Sequence, residues 1–226
     1  MSSSKWRPSL PRKRESSVVL DHRIYFDSMP PVTQALIIAN VAIYLLQMLL
    51  PGLIVPFALW PLGAESASGG QVSFEVWQLV TYAFLHGGLT HIAFNMFALY
   101  MFGSPFEQVV GRRRYLAYYF VCVVTAAIAQ LAVTHAMGGV YPTIGASGGV
   151  FGLLLAYAVY FPRNRVMLLF FPVPVPARIF VVIYAALELF FGVTGTQAGV
   201  AHFAHLGGLV GGAALIYYWR NVRRLR

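Results

Sequence analysis

The chain has 226 residues, of which 58% are hydrophobic and 10% charged, with a mean hydropathy of +0.68. A soluble domain carries about 25% charged residues, so this composition excludes an ordinary soluble fold and points to a polytopic, all-α membrane protein of one domain. The formal charge of +9 raises nucleic acid as a partner, but the basic residues fall in short groups between apolar segments, which excludes a nucleic-acid surface.

In chain order, residues 1–29 form a basic, polar tail expected to be disordered and cytoplasmic. The first twenty residues contain no apolar core, so no cleavable signal is expected, although a basic, Ser-rich start is also compatible with an organellar transit peptide. Residues 30–220 hold the membrane domain and 221–226 a basic cytoplasmic tail. Six apolar segments are expected to cross the bilayer, at roughly 32–50, 91–110, 115–134, 147–161, 178–193 and 203–219. Pro30-Pro31 introduces the first, and Pro51-Gly52 ends it. The connection 51–90 is long enough to suggest a functional loop, and its Trp60 and Trp77 suit the outer membrane interface. Arg112-Arg113-Arg114 follows the second segment, and Phe161-Pro162-Arg163-Asn164-Arg165 stops the fourth. Phe171 to Pro176 holds too many prolines to be helical. The last segment closes on Tyr217-Tyr218-Trp219-Arg220, an aromatic belt with an anchoring charge. With a cytoplasmic N-terminus, all 16 Lys and Arg residues lie on the cytoplasmic side, and the outer connections 51–90, 135–146 and 194–202 contain none. That distribution obeys the positive-inside rule throughout and suits a cell (plasma or inner) membrane with both termini inside. No internal repeat is visible. Cys122, the single cysteine, lies in an apolar run and excludes a disulfide.

The chemistry concentrates at the outer ends of three segments. Ser147 sits in Gly145-Ala146-Ser147-Gly148-Gly149, where a serine among glycines reads as a nucleophile on a tight turn. Ala201-His202-Phe203-Ala204-His205-Leu206-Gly207-Gly208 opens the last segment, and an ionisable residue within a membrane segment is by default a functional one. Ser147 to Phe161 and His205 to Trp219 each span about 21 Å of helix, against a hydrocarbon core of about 30 Å, so both residues are expected at one depth, about 10 Å below the outer surface. Gly148-x-x-x-Gly152 and Gly207/Gly208-x-x-x-Gly211/Gly212 are small-residue stripes that would let the two helices cross closely. A histidine can take the serine proton. Neither Glu107, near the cytoplasmic end of its segment, nor Glu188, ten residues into the fifth, is well placed as a third member. The expectation is therefore a Ser147–His205 dyad with His205 oriented by helix packing.

Acyl transfer also needs oxyanion donors. His91 and Asn95 lie four apart on one helix face and, with the Ser147 backbone N–H, would form a three-donor pocket. His86, His91, His202 and His205 gather at the same side, but neither His pair has an adjacent acid of the H-E-x-x-H kind. His86 and His91 are not expected on one helix face. No metal and no cofactor is expected, and His135 reads as interfacial.

These residues resemble those of the rhomboid family of intramembrane serine proteases: Gly145-Ala146-Ser147-Gly148, His91-x-x-x-Asn95 and Ala204-His205-Leu206-Gly207-Gly208, over about residues 30–219. The resemblance implies a six-helix bundle, a Ser147–His205 dyad, and an oxyanion site from His91, Asn95 and Ser147. Gly145, Ala146 and Phe151 would border the substrate, which would be the transmembrane helix of another membrane protein. The connection 51–90 and segment five would shape its access. Two positions depart from the family pattern: Trp77-Gln78 keeps only the first member of a Trp-Arg pair, and Phe151 stands where some relatives place a tyrosine beneath the histidine. A non-catalytic scaffold that escorts membrane helices would lack Ser147 or His205, and both are present. A transporter would need a polar path through the inner halves of segments four and six, which are apolar.

The charge distribution makes a topological prediction. On a Cys122→Ala background, Ser68→Cys and Ala198→Cys should react with an impermeant thiol reagent from outside, and Arg224→Cys only after the membrane is opened. Labelling of Arg224→Cys in intact cells would reverse the assigned orientation.

Overall fold

The structure, a computed structural model, describes residues 29–65, 69–70, 72–139, 141–168, 171–196 and 200–221. The N-terminal tail before Met29 and residues 222–226 of the basic tail lie outside them. Helix α1 (Pro31–Leu49) begins on a proline that has no N–H to leave unsatisfied. Its next donors are met from elsewhere in the chain: the Glu107 carboxylate accepts the Val32 N–H at 3.0 Å, the Thr33 N–H at 2.7 Å and the Thr33 hydroxyl at 2.8 Å. Glu107 thus caps α1 from a distance, where the helix dipole favours negative charge.

The connection after α1 is tied down rather than open. It contains the short helices α2 (Ile54–Phe57) and α3 (Gln78–Thr81). The fully buried Gln78 accepts the Trp60 N–H at 3.1 Å and donates to the carbonyls of Pro56 and Ser73 at 3.3 and 3.2 Å. The Trp77 indole N–H donates to the same Pro56 carbonyl at 3.0 Å. Gln78, the member that departs from the Trp-Arg pair, therefore joins three stretches of this loop. Gln47 of α1 pairs with both the N–H and the carbonyl of His86. Leu59 and Thr143 exchange backbone bonds at 3.0 and 2.9 Å, fastening the loop to the stretch that leads into Ser147.

Segment two is helical but not uniform: α4 (Leu89–Ala98) passes through a π turn, Leu99–Gly103, into α5 (Ser104–Val110). Pro105 has no N–H and its ring would clash with the carbonyl four residues earlier; a wider turn relieves that clash. Helix α6 (Arg112–Met137), 26 residues long, is the central element and buries Tyr115, Tyr118, Tyr119, Cys122 and Ala126. Helix α7 (Ser147–Tyr160) and helix α9 (His202–Asn221) pack against it and against each other. The Tyr118 hydroxyl donates to the Gly152 carbonyl at 2.7 Å and the Tyr82 hydroxyl to the Val123 carbonyl at 2.8 Å, bracing α7 and the loop on α6. Between α7 and helix α8 (Ala177–Thr194) lies an antiparallel pair, β1 (Arg165–Leu168) and β2 (Phe171–Pro176), in register Val166↔Val175. The proline-rich stretch is thus a strand of a two-stranded ribbon, where a proline needs no ladder partner on its open edge.

All six expected apolar segments coincide with helix. Pro31–Leu49, Arg112–Met137 and Ala177–Thr194 are long and apolar enough to cross a membrane. The α7 helix is 14 residues long, about 21 Å, so it is shorter than a full span. Glu107→Ala should destabilise the fold by about 1–3 kcal/mol, since it strips the acceptor from three buried or half-buried donors. Thermal unfolding in detergent should show it, while Glu75→Ala, whose side chain among the described residues receives the Ser73 hydroxyl alone, at 3.2 Å, should melt like the parent.

Candidate active site

The site is built where α7 meets α9. The Gly148 carbonyl lies against Gly208 so closely that a Cβ at position 208 would overlap it. The Gly208 carbonyl in turn stands 3.3 Å from where a Gly152 Cβ would be. The other glycines of the second stripe face α6: a Cβ on Gly207 would meet Ala129 and the Thr125 carbonyl, and one on Gly211 would meet the Thr125 side chain. The stripes therefore close a three-helix junction, with α6 as the third wall.

That junction brings Ser147, the first residue of α7, to His205 in the first turns of α9. His205 Nε2 lies 2.8 Å from Ser147 Oγ. Phe151, one turn below Ser147, stacks on the imidazole with ring centroids 4.2 Å apart and an interplanar angle of 6°. A phenylalanine face thus fills the place beneath the histidine where some relatives have tyrosine. The expectation that no carboxylate reaches this site is corrected by Glu188. Its Oε2 lies 2.8 Å from His205 Nδ1 and 2.7 Å from His202 Nδ1, with all three residues buried. Sequence distance along α8 could not reveal this, because the side a residue faces depends on how the helix is rotated against its neighbours.

The same finding removes the stated reason for expecting no metal, since Glu188, His202 and His205 present ligand atoms within 4.8 Å of one another. Their spacing is that of hydrogen bonds, however. Two ligands each about 2.05 Å from a tetrahedral zinc ion stand about 3.3 Å apart, whereas both nitrogens here converge on one oxygen at 2.7 and 2.8 Å.

The serine borders two cavities. One, of about 440 Å³, is lined by Gly87, His91, Thr143, Ile144, Ser147 and His205 among others. The second, of about 550 Å³ and largely apolar, is lined by Asn95, Met101, Ser147, Phe151, Phe180 and Tyr184 among others. His91 and Asn95, one helical turn apart on α4, thus face the serine from different cavities. The Gly87 N–H donates to His91 Nδ1 at 3.3 Å, which leaves the proton of a neutral ring on Nε2. That nitrogen points at Gly145, where a Cβ would stand only 2.8 Å from it. Gly145 also has φ +126°, so glycine is required there both for backbone conformation and for space. Ala146 is fully buried in the core and lines neither cavity. His86 and His91, not expected to share a helix face, meet edge to face at 5.0 Å because His86 lies in the loop before α4. Burial, with His91 adding to it, pushes the His86 pKa down to about 4, so this ring is neutral at physiological pH.

The pattern that defines the Rhomboid domain matches residues 73–222. The chain is 35% identical over 138 residues to the rhomboid protease GluP of Bacillus subtilis, across 61% of this chain and 25% of that protein. It is 29% identical over 152 residues to rhomboid protein 1, mitochondrial, of Saccharomyces cerevisiae, across 61% of this chain and 39% of that one. With the presenilin-associated rhomboid-like protein, mitochondrial, of Bos taurus it shares 28% over 144 residues, 61% of this chain and 38% of the relative. The chain spans 25–39% of the length of these relatives. Helical bundle, membrane-spanning helices and sequence pattern define a polytopic membrane protein. The chain belongs to the rhomboid family.

Proposed function

We propose that this protein is an intramembrane serine protease that hydrolyses peptide bonds in or near transmembrane segments of other membrane proteins. The observation that carries the reading is the 2.8 Å approach of His205 Nε2 to Ser147 Oγ at the head of an apolar helix. In this reading all six apolar segments cross a cell (plasma or inner) membrane with both termini cytoplasmic, and the domain works in the bilayer without metal or cofactor. Ser147 Oγ attacks the scissile carbonyl carbon as its proton passes to His205 Nε2. The carbonyl π pair moves onto oxygen, where His91 Nε2–H, the Asn95 amide and the Ser147 N–H stabilise it. The C–N bond then breaks as His205 returns the proton to the leaving nitrogen. Water supplied through the 440 Å³ cavity hydrolyses the acyl-enzyme by the same path. Substrate borders Gly145 and Phe151, and the apolar cavity beside Ser147 takes one of its side chains. Because an intact helix engages its own carbonyls, substrates should carry small or helix-breaking residues near the cut.

Ser147→Ala and His205→Ala should each abolish cleavage of a model transmembrane substrate and labelling by a fluorophosphonate probe. His202→Ala removes a partner of Glu188 and not of Ser147, so it should weaken cleavage without abolishing it, and EDTA should leave the parent active. Activity in Ser147→Ala, or chelator inactivation that zinc reverses, would defeat the serine mechanism.

Asn95→Ala separates oxyanion stabilisation from packing. Loss of one oxyanion donor lowers turnover by about 3 kcal/mol, a hundredfold or more, whereas one interhelical hydrogen bond in a membrane is worth about 0.6 kcal/mol. Turnover should therefore collapse with little change in KM or melting temperature. Near-parental turnover with a large drop in melting temperature would make Asn95 a packing residue.

A further inference from the structure

We propose that Glu188 is the orienting third member of a Ser147–His205–Glu188 triad, held in place by His202; the proposal rests on the serine-protease reading above. Rotation of α8 turns Glu188 inward: its chain neighbours Leu187 and Leu189 are 42% and 52% exposed, and Glu188 itself is 7% exposed. A carboxylate so placed within an apolar helix is tolerated only where donors meet it. Both donors come from the start of α9, where His202 and His205, three residues apart, share a face and the helix dipole also favours negative charge.

The geometry fixes the tautomer. An ionised carboxylate only accepts hydrogen bonds, so the two nitrogens converging on Oε2 at 2.7 and 2.8 Å must each be Nδ1–H. His205 with its proton on Nδ1 carries a lone pair on Nε2, and that lone pair faces Ser147 Oγ at 2.8 Å. This is the form a general base must have. The parallel Phe151 ring blocks tipping of the imidazole, which would break both of its bonds at once. During acylation the serine proton lands on Nε2, the ring becomes an imidazolium, and Glu188 stays ionised beside it as counter-ion. No proton moves to Glu188. It touches no substrate and is a positioning residue, acting through His205. His202 supplies the second N–H, which holds the carboxylate in the plane His205 needs.

The rival explanation is a staple that merely joins α8 to α9, and the test must tell them apart. The measurements are kcat, KM, fluorophosphonate labelling rate and melting temperature for the parent, Ser147→Ala, Glu188→Gln and Glu188→Asp in detergent, with ¹⁵N-histidine NMR of the parent and each Glu188 variant. The parent should show His205 protonated on Nδ1 and bare on Nε2. Glu188→Gln keeps the shape but loses the charge. Its kcat should fall at least about tenfold, short of the about 10⁴-fold lost when the acid of a soluble triad becomes an amide. KM and melting temperature should stay near parental, and labelling should slow in step with kcat. Glu188→Asp, which restores the charge at shorter reach, should recover part of the rate. A kcat for Glu188→Gln within about twofold of the parent would overturn the triad. So would a loss of rate that tracks a loss of melting temperature and is no smaller in Glu188→Asp. Should Glu188→Gln fail to fold, the parent spectrum decides, and a His205 protonated on Nε2 overturns the proposal. A parent that neither cleaves nor labels overturns the protease reading itself, a result distinct from an active parent indifferent to Glu188.

Discussion

Two backbones touch where α7 crosses α9, and no side chain stands between them. Gly148 and Gly208 make that contact, and the site hangs from it: Ser147 is the residue before one glycine, His205 three before the other. Lipid is as apolar as leucine, so membrane helices gain nothing by hiding apolar surface from it and associate through close packing and polar contacts. Glycine serves that need by letting main chains approach. An added methyl at Gly208 would overlap the Gly148 carbonyl and push the helices apart, and a hydrogen bond of 2.8 Å tolerates little such movement. Helix α6 makes the crossing rigid: Cys122, Thr125 and Ala126 pack into the glycine notches of both partners, leaving little slack in the junction.

Much of this could be read from the sequence because the signals are local. Prolines, arginines and glycines bound the six helices to within a few residues, and counting along two helices anchored at one face placed Ser147 and His205 at the same height. Features that depend on rotation or on partners distant in the chain were hidden. The glycine stripe of α9 divides between α6 and α7, which a stripe alone does not reveal. Glu107 looked idle at the end of its segment, yet it meets Val32 and Thr33 more than seventy positions away. Gln78, where relatives have arginine, gave no sign that an amide could tie three loop segments. The π turn had a readable cause in Pro105, though proline permits a kink as readily as a wide turn. Glu188 is the instructive miss: its place ten residues into the fifth segment did not mark it, because only the packing of α8 decides that it faces two imidazoles instead of lipid.

The packing of α8 gives that contact its consequence. Its inward face buries Ala177, Phe180, Val181 and Glu188, while Val182, Ile183, Leu187, Leu189 and Phe190 are exposed. Apolar side chains of this kind lose little when they exchange a protein neighbour for a lipid chain, so they restrain the helix weakly. The bonds from His202 and His205 to Glu188 are directional and, in an apolar setting, costly to leave unmade. Toward its C-terminal end, α8 is therefore held by the Glu188 contact together with the packing of Phe191 and Gly192 on His202 and Phe203. The apolar cavity beside Ser147 runs between α4, α7 and α8, with Phe180 and Tyr184 of α8 in its wall. A substrate helix that widened this cavity by moving α8 outward would draw Glu188 away from His205, and the lone pair facing Ser147 would lose its fixed direction. On the proposed protease reading, chemistry would be favoured for a segment that unwinds enough to fit with α8 seated. In the proposed protease, the polar contact that anchors the helix would thereby add to the preference for extended, small-residue segments that the helix's own engaged carbonyls impose.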